Sequence, residues 1–183
     1  MSDIPNHPVY SKNVFEMITV ANDFCIFSAK IETYSKTEAI DYLQKVCPLL
    51  YIKGALLPDI EVSNPDANER FVTEGDWETL FNEFRNKFQP DDEFWFIDNS
   101  GVRDNDPIKG SLAEHFADIY QDLKDFLMLY QKNTLDAKEN AVFELKRLFP
   151  VHWGLRIVNA MKVLHYITLK NLPVEEDTDY DFL

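Results

Sequence analysis

The sequence has few of the residues and motifs on which many enzyme families depend. It contains five glycines and two cysteines among 183 residues. It lacks a Gly-rich phosphate loop, a Cys-x-x-Cys pair, a His-Glu-x-x-His zinc motif and a Gly-x-Ser-x-Gly nucleophile elbow. These absences argue against the common nucleotide-binding, zinc and serine-hydrolase sites. The small number of glycines, together with long helical patterns, argues against a β-barrel or β-sandwich.

Positive charge is also scarce, since the formal net charge is −14. Such a chain repels duplex nucleic acid and anionic membranes, so partners of the whole chain are expected to be basic, cationic or metal-assisted. There is neither an apolar run of about 20 residues, which a membrane span needs, nor a visible signal peptide. Cys25 and Cys47 lie in helical apolar patterns and are predicted to be buried free thiols. The predicted location is the cytoplasm.

What is present is helical periodicity. The pattern predicts an all-α, single-domain bundle of about six helices over residues 1–172, followed by an acidic C-terminal tail over 173–183. The predicted helices cover 9–31, 35–55, 73–88, 110–130, 135–148 and 151–171. Pro48 is predicted to kink or interrupt the second helix near Gln44. One short β pair between residues 70–73 and 94–97 is an option, and the last helix is so apolar that a central position is predicted.

The chain is organised around the helix that begins near Ser111. Ser111 and Glu114 have the spacing of a capping box. The apolar side chains recur at spacings of four and three and are expected to face the core: Leu112, Phe116, Ile119, Leu123, Phe126 and Tyr130. The acidic side chains form a second stripe, predicted to lie roughly opposite the first: Glu114, Asp118, Asp122 and Asp125. The function of this acidic stripe is the main question that the sequence raises.

Several short segments resemble a bacterial family catalogued as domain of unknown function 5063. These segments are Ser111-Leu112-Ala113-Glu114, Asp118-Ile119-Tyr120, Asp122-Leu123 and His152-Trp153-Gly154. The chain departs from the family pattern at His115, where an acidic residue is common, and at Leu155-Arg156, where a histidine is common. Those departures weaken any metal site that the family builds there. The resemblance implies a helical fold and no established activity, substrate or cofactor.

Three carboxylates four residues apart, Glu114, Asp118 and Asp122, face one strip of space and repel one another. Water and salt, a salt-bridge seam to basic residues of the last helix, or a divalent cation can offset that repulsion. The basic residues in question are Arg156, Lys162 and Lys170. In the metal interpretation the ligands of a Mg²⁺ or Mn²⁺ ion are Glu114, Asp118, Asp122 and His152.

The residues around the last helix also have structural interpretations. His152 fixes the helix junction if it is not a ligand or an acid/base group. Trp153, in the His-Trp-Gly motif with Gly154, is predicted to be a packing anchor, and Tyr120 to lie at the border of the apolar stripe. His165, within an apolar stretch, is predicted to be a buried core histidine. The tail is interpreted as a solvating segment or as a docking peptide that includes Phe182-Leu183.

Two functions follow from these patterns. The first is a non-enzymatic interaction or regulatory module with a protein partner and no cofactor. The alternative is a Mg²⁺- or Mn²⁺-dependent hydrolase of a nucleotide or another phosphate. A catalytic site requires the carboxylates in a concave pocket, whereas an interaction module exposes a contiguous apolar patch. The oligomeric state stays open.

Overall fold

The structure, a computed structural model, describes residues 6–97 and 107–171. In those ranges the order of elements is α1 (Lys12–Ser28), α2 (Lys36–Ala55), α3 (Glu74–Phe88), β1 (Glu93–Ile97), β2 (Pro107–Ser111), α4 (Leu112–Tyr130), α5 (Leu135–Leu148) and α6 (Trp153–Lys170). The predicted single-domain helical bundle with one short β pair is confirmed. The predicted tail over 173–183 lies outside the described residues.

Side-chain caps fix where the helices begin. Ser35 and Glu38 form a reciprocal capping box at α2, and Thr73 and Asp76 form another at α3. The cap of α4 differs from these two. Ser111 Oγ accepts a hydrogen bond from Glu114 N, but the carboxylate that completes the cap belongs to Asp92. The Asp92 carboxylate accepts from Ala113 N at 2.8 Å and from Ser111 Oγ at 2.9 Å. A buried acid from outside the helix therefore ties the start of α4 to the segment before β1.

Helix α4 lies at the centre of the bundle, in contact with α1, α3, α5 and α6. Fourteen of its 19 residues are buried. The predicted core stripe is confirmed, since Phe116 and Leu123 are fully buried. Phe116 packs against Phe84 and Phe88 of α3, with ring centroids 5.4 and 5.7 Å apart.

The predicted β pair exists, but its second strand was wrongly placed. Strand β1 pairs antiparallel with β2, so that Phe94 lies opposite Gly110, and residues 70–73 take no part in the sheet. The amides of Phe71 and Val72 instead donate to Asp125 Oδ1 at 2.8 and 2.9 Å. The carboxylate of α4 thus takes the hydrogen bonds that a strand partner would have taken.

Pro48 does not interrupt α2, which runs unbroken from Lys36 to Ala55. A proline within a helix costs about 3 kcal/mol through the lost hydrogen bond and a steric clash. Both flanking turns are buried, with Val46, Cys47 and Leu50 in the core. The packing of α2 against α1 and α6 offsets that cost.

The predicted central position of α6 was wrong, because α4 holds that position. Helix α6 packs on α4 and α2 through one side only, the side of Ile157 and Leu164. His165, predicted to be a core histidine, is exposed. The apolar residues of α6 are therefore divided between a buried face and a face in water. None of the helices in the described ranges has the length and apolarity that a membrane crossing requires.

Candidate functional site

The acidic stripe of α4 is mostly buried, so its predicted position opposite the core was wrong beyond Glu114. Glu114 is exposed, whereas Asp118, Asp122 and Asp125 are at most 8% exposed. The reason is that α4 is covered on nearly all sides, by α3 and the 58–73 loop on one and by α5 and α6 on another. Buried carboxylates need partners, and each of the three has them within the chain.

Asp118 joins three helices. Its Oδ1 accepts from the indole N–H of Trp77 in α3 at 2.8 Å. Its Oδ2 lies 2.6 Å from Arg156 Nη2 in α6 and 3.9 Å from His152 Nε2. Arg156 is one of the three basic residues of the last helix that the sequence pattern allowed as salt-bridge partners. The contact with Trp77 was not predicted, because its indole belongs to an aromatic stripe that looks purely apolar.

Asp122 and Asp125 continue the same line along α4. Asp122 Oδ2 lies 2.5 Å from His152 Nδ1. Asp125 binds the Phe71 and Val72 amides, and Arg70 Nη1 lies 3.7 Å from its other oxygen. Burial raises the pKa of the Asp125 carboxyl, although these two amides act in the opposite direction. The stripe therefore fastens α3, the 58–73 loop and α6 to the central helix.

The donors around these carboxylates determine what the cluster could do chemically. Of the four candidate metal ligands, the structure brings Asp118, Asp122 and His152 together, and Glu114 stays apart on the exposed side of α4. Both nitrogens of His152 face carboxylates, and Arg156 places a positive charge on Asp118. Within the described ranges no group of three or more His, Cys, Asp or Glu side chains is arranged to hold a metal ion.

The His152-Trp153-Gly154 motif forms the junction between α5 and α6. Trp153 is fully buried, and its indole N–H donates to Leu145 O at 2.9 Å. Gly154 N donates to Phe149 O at 3.0 Å, and a Cβ at Gly154 would lie 2.4 Å from that oxygen. A Cβ at Gly54 in α2 would lie 2.2 Å from the Trp153 ring. Both glycines are needed because the helices approach so closely.

Two further residues singled out by the sequence, Tyr120 and His115, lie on α4 itself. Tyr120 is half-buried and lines a cleft with Asp76 and Lys124, and burial raises the pKa of its hydroxyl. His115 is buried beneath β1, against the rings of Phe94 and Phe96. Burial, aided by the charges of Arg156 and His152, lowers the pKa of His115 to about 3. The contacts with Phe94 and Phe96 thus place the His115 ring under β1 and outside the acidic stripe.

The side of α6 turned away from the core is the second candidate site, here called the outer face of α6. It consists of Leu155, Val158, Lys162, His165, Tyr166 and Leu169, all exposed, and the exposed Val151 lies in the turn just before α6. Five of these six helical residues, all except Tyr166, follow one another at spacings of three, four, three and four, which is the repeat of a helix–helix seam. Leu155, Val158 and Tyr166 are 47%, 48% and 55% exposed. The exposed apolar side chains of this face, Leu155, Val158, Tyr166 and Leu169, lie on either side of Lys162 and His165. Exposed apolar surface with polar residues beside it is typical of a protein–protein interaction site.

Comparison with known proteins assigns the chain to a family. The family model described as "Domain of unknown function (DUF5063)" matches residues 8–170. The chain belongs to the DUF5063 family. The crystal structure of protein BF1032 from Bacteroides fragilis, a Northeast Structural Genomics Consortium target, is similar at 30% identity and a TM-score of 0.78. The match covers 88% of this chain and 95% of that one. No curated protein matches the sequence.

The residues by which the chain resembles the DUF5063 family have structural partners. Ser111 caps α4, Asp118 and Asp122 bind residues of α6, and Trp153 with Gly154 closes the junction of α5 and α6. The DUF5063 match ends at residue 170, the last residue of α6. In this chain the motif residues thus have structural roles, and the outer face of α6 lies outside the His152-Trp153-Gly154 motif.

Proposed function

We propose that the protein is a non-enzymatic interaction module that binds a partner protein through the outer face of α6. The observation that carries the proposal is the exposed seam on α6 from Leu155 to Leu169. Its spacing suits an amphipathic helix laid along α6, since such helices present anchors at every third and fourth residue. The carboxylates that a hydrolase would need are meanwhile occupied by Trp77, His152 and Arg156.

Charge indicates the chemistry of the partner. The 18 residues of α6 include three basic side chains and no acidic one, although the whole chain carries −14. Arg156 is paired with Asp118, but the exposed Lys162 and Lys170 form no salt bridge among the described residues, so the exposed side of α6 is positive although the whole chain is negative. An acidic partner suits this side better than the basic partner predicted from net charge. We expect an apolar segment with flanking Asp or Glu residues. The buried free thiols of Cys25 and Cys47 are consistent with a reducing compartment, in support of a cytoplasmic location.

The proposal predicts that two charges placed on the outer face of α6 abolish binding without unfolding the chain. A photo-crosslinking residue at Leu155, in cells that express the protein naturally, identifies the partner, which is then purified for titration. Leu155→Glu/Val158→Glu is expected to weaken its binding at least about tenfold, which corresponds to about 1.4 kcal/mol. Because both side chains are already half in water, the melting temperature should change little.

Ile52, on α2, provides the matched control because it is exposed to a similar extent, 51%. A crosslinker at Ile52 should not capture the same partner, and Ile52→Glu should leave the affinity unchanged. The proposal is wrong if the partner crosslinks equally at both positions. It is also wrong if Leu155→Glu/Val158→Glu binds as tightly as the wild type.

A further inference from the structure

A groove runs between β1 and α6, beside the outer face of α6. It encloses about 820 Å³ and is here called the β1–α6 groove. Trp95 and Ile97 of β1 line one wall, and Lys162, Tyr166 and Lys170 of α6 line the other. Trp95 is 68% exposed, which is unusual for a tryptophan. The groove therefore offers aromatic surface on both sides and two ammonium groups on one.

The charges in the β1–α6 groove are unbalanced. Two acids line it, but Asp91 binds Lys36 at 2.7 Å and Glu93 binds Lys109 at 2.6 Å. Neither Lys162 nor Lys170 forms a salt bridge within residues 6–97 and 107–171. An acidic ligand with aromatic side chains would match both features of the groove, because the ammonium groups would bind its carboxylates and the apolar walls its rings.

The chain itself contains such a ligand. Residues 173–183, PVEEDTDYDFL, contain five acids, two aromatic residues and a leucine. They begin three residues after Lys170, the last residue of α6, which lines the groove. Eleven residues extend up to about 40 Å, whereas α6 is about 27 Å long, so the segment is long enough to return along the groove.

We propose that residues 173–183 bind in the β1–α6 groove of the same molecule, with their carboxylates near Lys162 and Lys170. The groove shares Lys162 and Tyr166 with the outer face of α6. The bound segment would therefore compete with the partner, and this regulatory consequence rests on the proposed function. The intramolecular contact does not depend on any partner, so its failure and that of the proposed function can be told apart.

Paramagnetic NMR on the full chain tests the contact. A nitroxide on a Thr178→Cys variant should broaden the amide signals of Lys162, Tyr166 and Trp95, and not that of Gly75 at the start of α3. Labelling is selective because Cys25 and Cys47 are buried, and burial raises the pKa of each thiol to about 12. Added salt should restore the signals, since the contact is largely electrostatic.

Charge reversal provides the matched comparison. Lys162→Glu/Lys170→Glu, in the spin-labelled chain, should remove the broadening. Lys12→Glu/Lys30→Glu, which changes the net charge equally at exposed sites, should retain it. Broadening that Lys162→Glu/Lys170→Glu leaves intact, or that spreads evenly over the surface, would overturn the proposal. So would broadening in a mixture of labelled and isotopically enriched chains, because the segment of a second copy would then occupy the groove.

Discussion

Replacing Asp118 by alanine is expected to lower the free energy of unfolding by about 3 kcal/mol. The substitution removes the acceptor of the Trp77 indole and the counter-charge of Arg156 at 2.6 Å. A buried ion pair costs most when one partner is deleted, because the other charge is left without compensation. The low end of the usual range applies, since the Arg156 side chain is one-quarter exposed. Chemical denaturation monitored by circular dichroism measures the change.

Glu114→Ala is the matched control for Asp118→Ala. Glu114 lies one turn earlier on the same helix and its side chain is exposed. Its loss should cost a few tenths of a kcal/mol, through the favourable position of an acid in the first turn of a helix. If both variants lose the same stability, Asp118 does not hold α3 and α6 to the central helix.

The second large effect is a dependence of stability on pH that comes from His115. The folded chain holds the pKa of this residue at about 3, below its ordinary value of 6.5. Between pH 6.5 and pH 3 the His115 imidazole is protonated in the unfolded chain and neutral in the folded chain. The free energy of unfolding therefore decreases as the pH falls through this range. At pH 5 the loss is about 2 kcal/mol, at about 1.36 kcal/mol for each pH unit.

The variant His115→Leu isolates this contribution from that of the other titrating groups. Its stability relative to the wild type should rise by about 2 kcal/mol between pH 7.5 and pH 5. Leucine also removes two ring nitrogens that have no hydrogen-bond partner among the described residues. His165→Leu serves as the control substitution, because His165 is an exposed histidine of the same chain. A parallel pH dependence for His115→Leu and the wild type would contradict the burial of a neutral imidazole.

The sequence predicted those parts of the fold that depend on neighbouring residues. The spacing of Phe116 and Leu123 was enough to place the core side of α4. Caps such as Ser35 with Glu38 were equally readable, because both partners lie within one turn. Asp92, which caps α4 from another segment, gives no such local signal.

The predictions that were wrong concern which segments of the chain cover each face of a helix. Helical spacing groups Asp118 with Asp122, but it does not show that α3 and α6 bury both of them. The same limit explains why the predicted central position of α6 was wrong, because its apolar residues suit a central helix and an exposed seam equally well. Strand pairing failed at residues 70–73 because the Asp125 carboxylate takes their amides, a contact across more than fifty residues. The sequence pattern thus grouped Asp118, Asp122 and His152, but it wrongly added Glu114 to that group and predicted neither the burial of the carboxylates nor the Trp77 partner.

Thermal melting with and without Mg²⁺ or Mn²⁺, at matched ionic strength, tests whether the chain's own donors satisfy the carboxylates of α4. A cation bound only by the folded state stabilises it by mass action and raises the melting temperature. We expect no change, because Trp77, His152 and Arg156 already occupy Asp118 and Asp122. A rise that Asp122→Asn abolishes would contradict this and would favour the metal-dependent hydrolase.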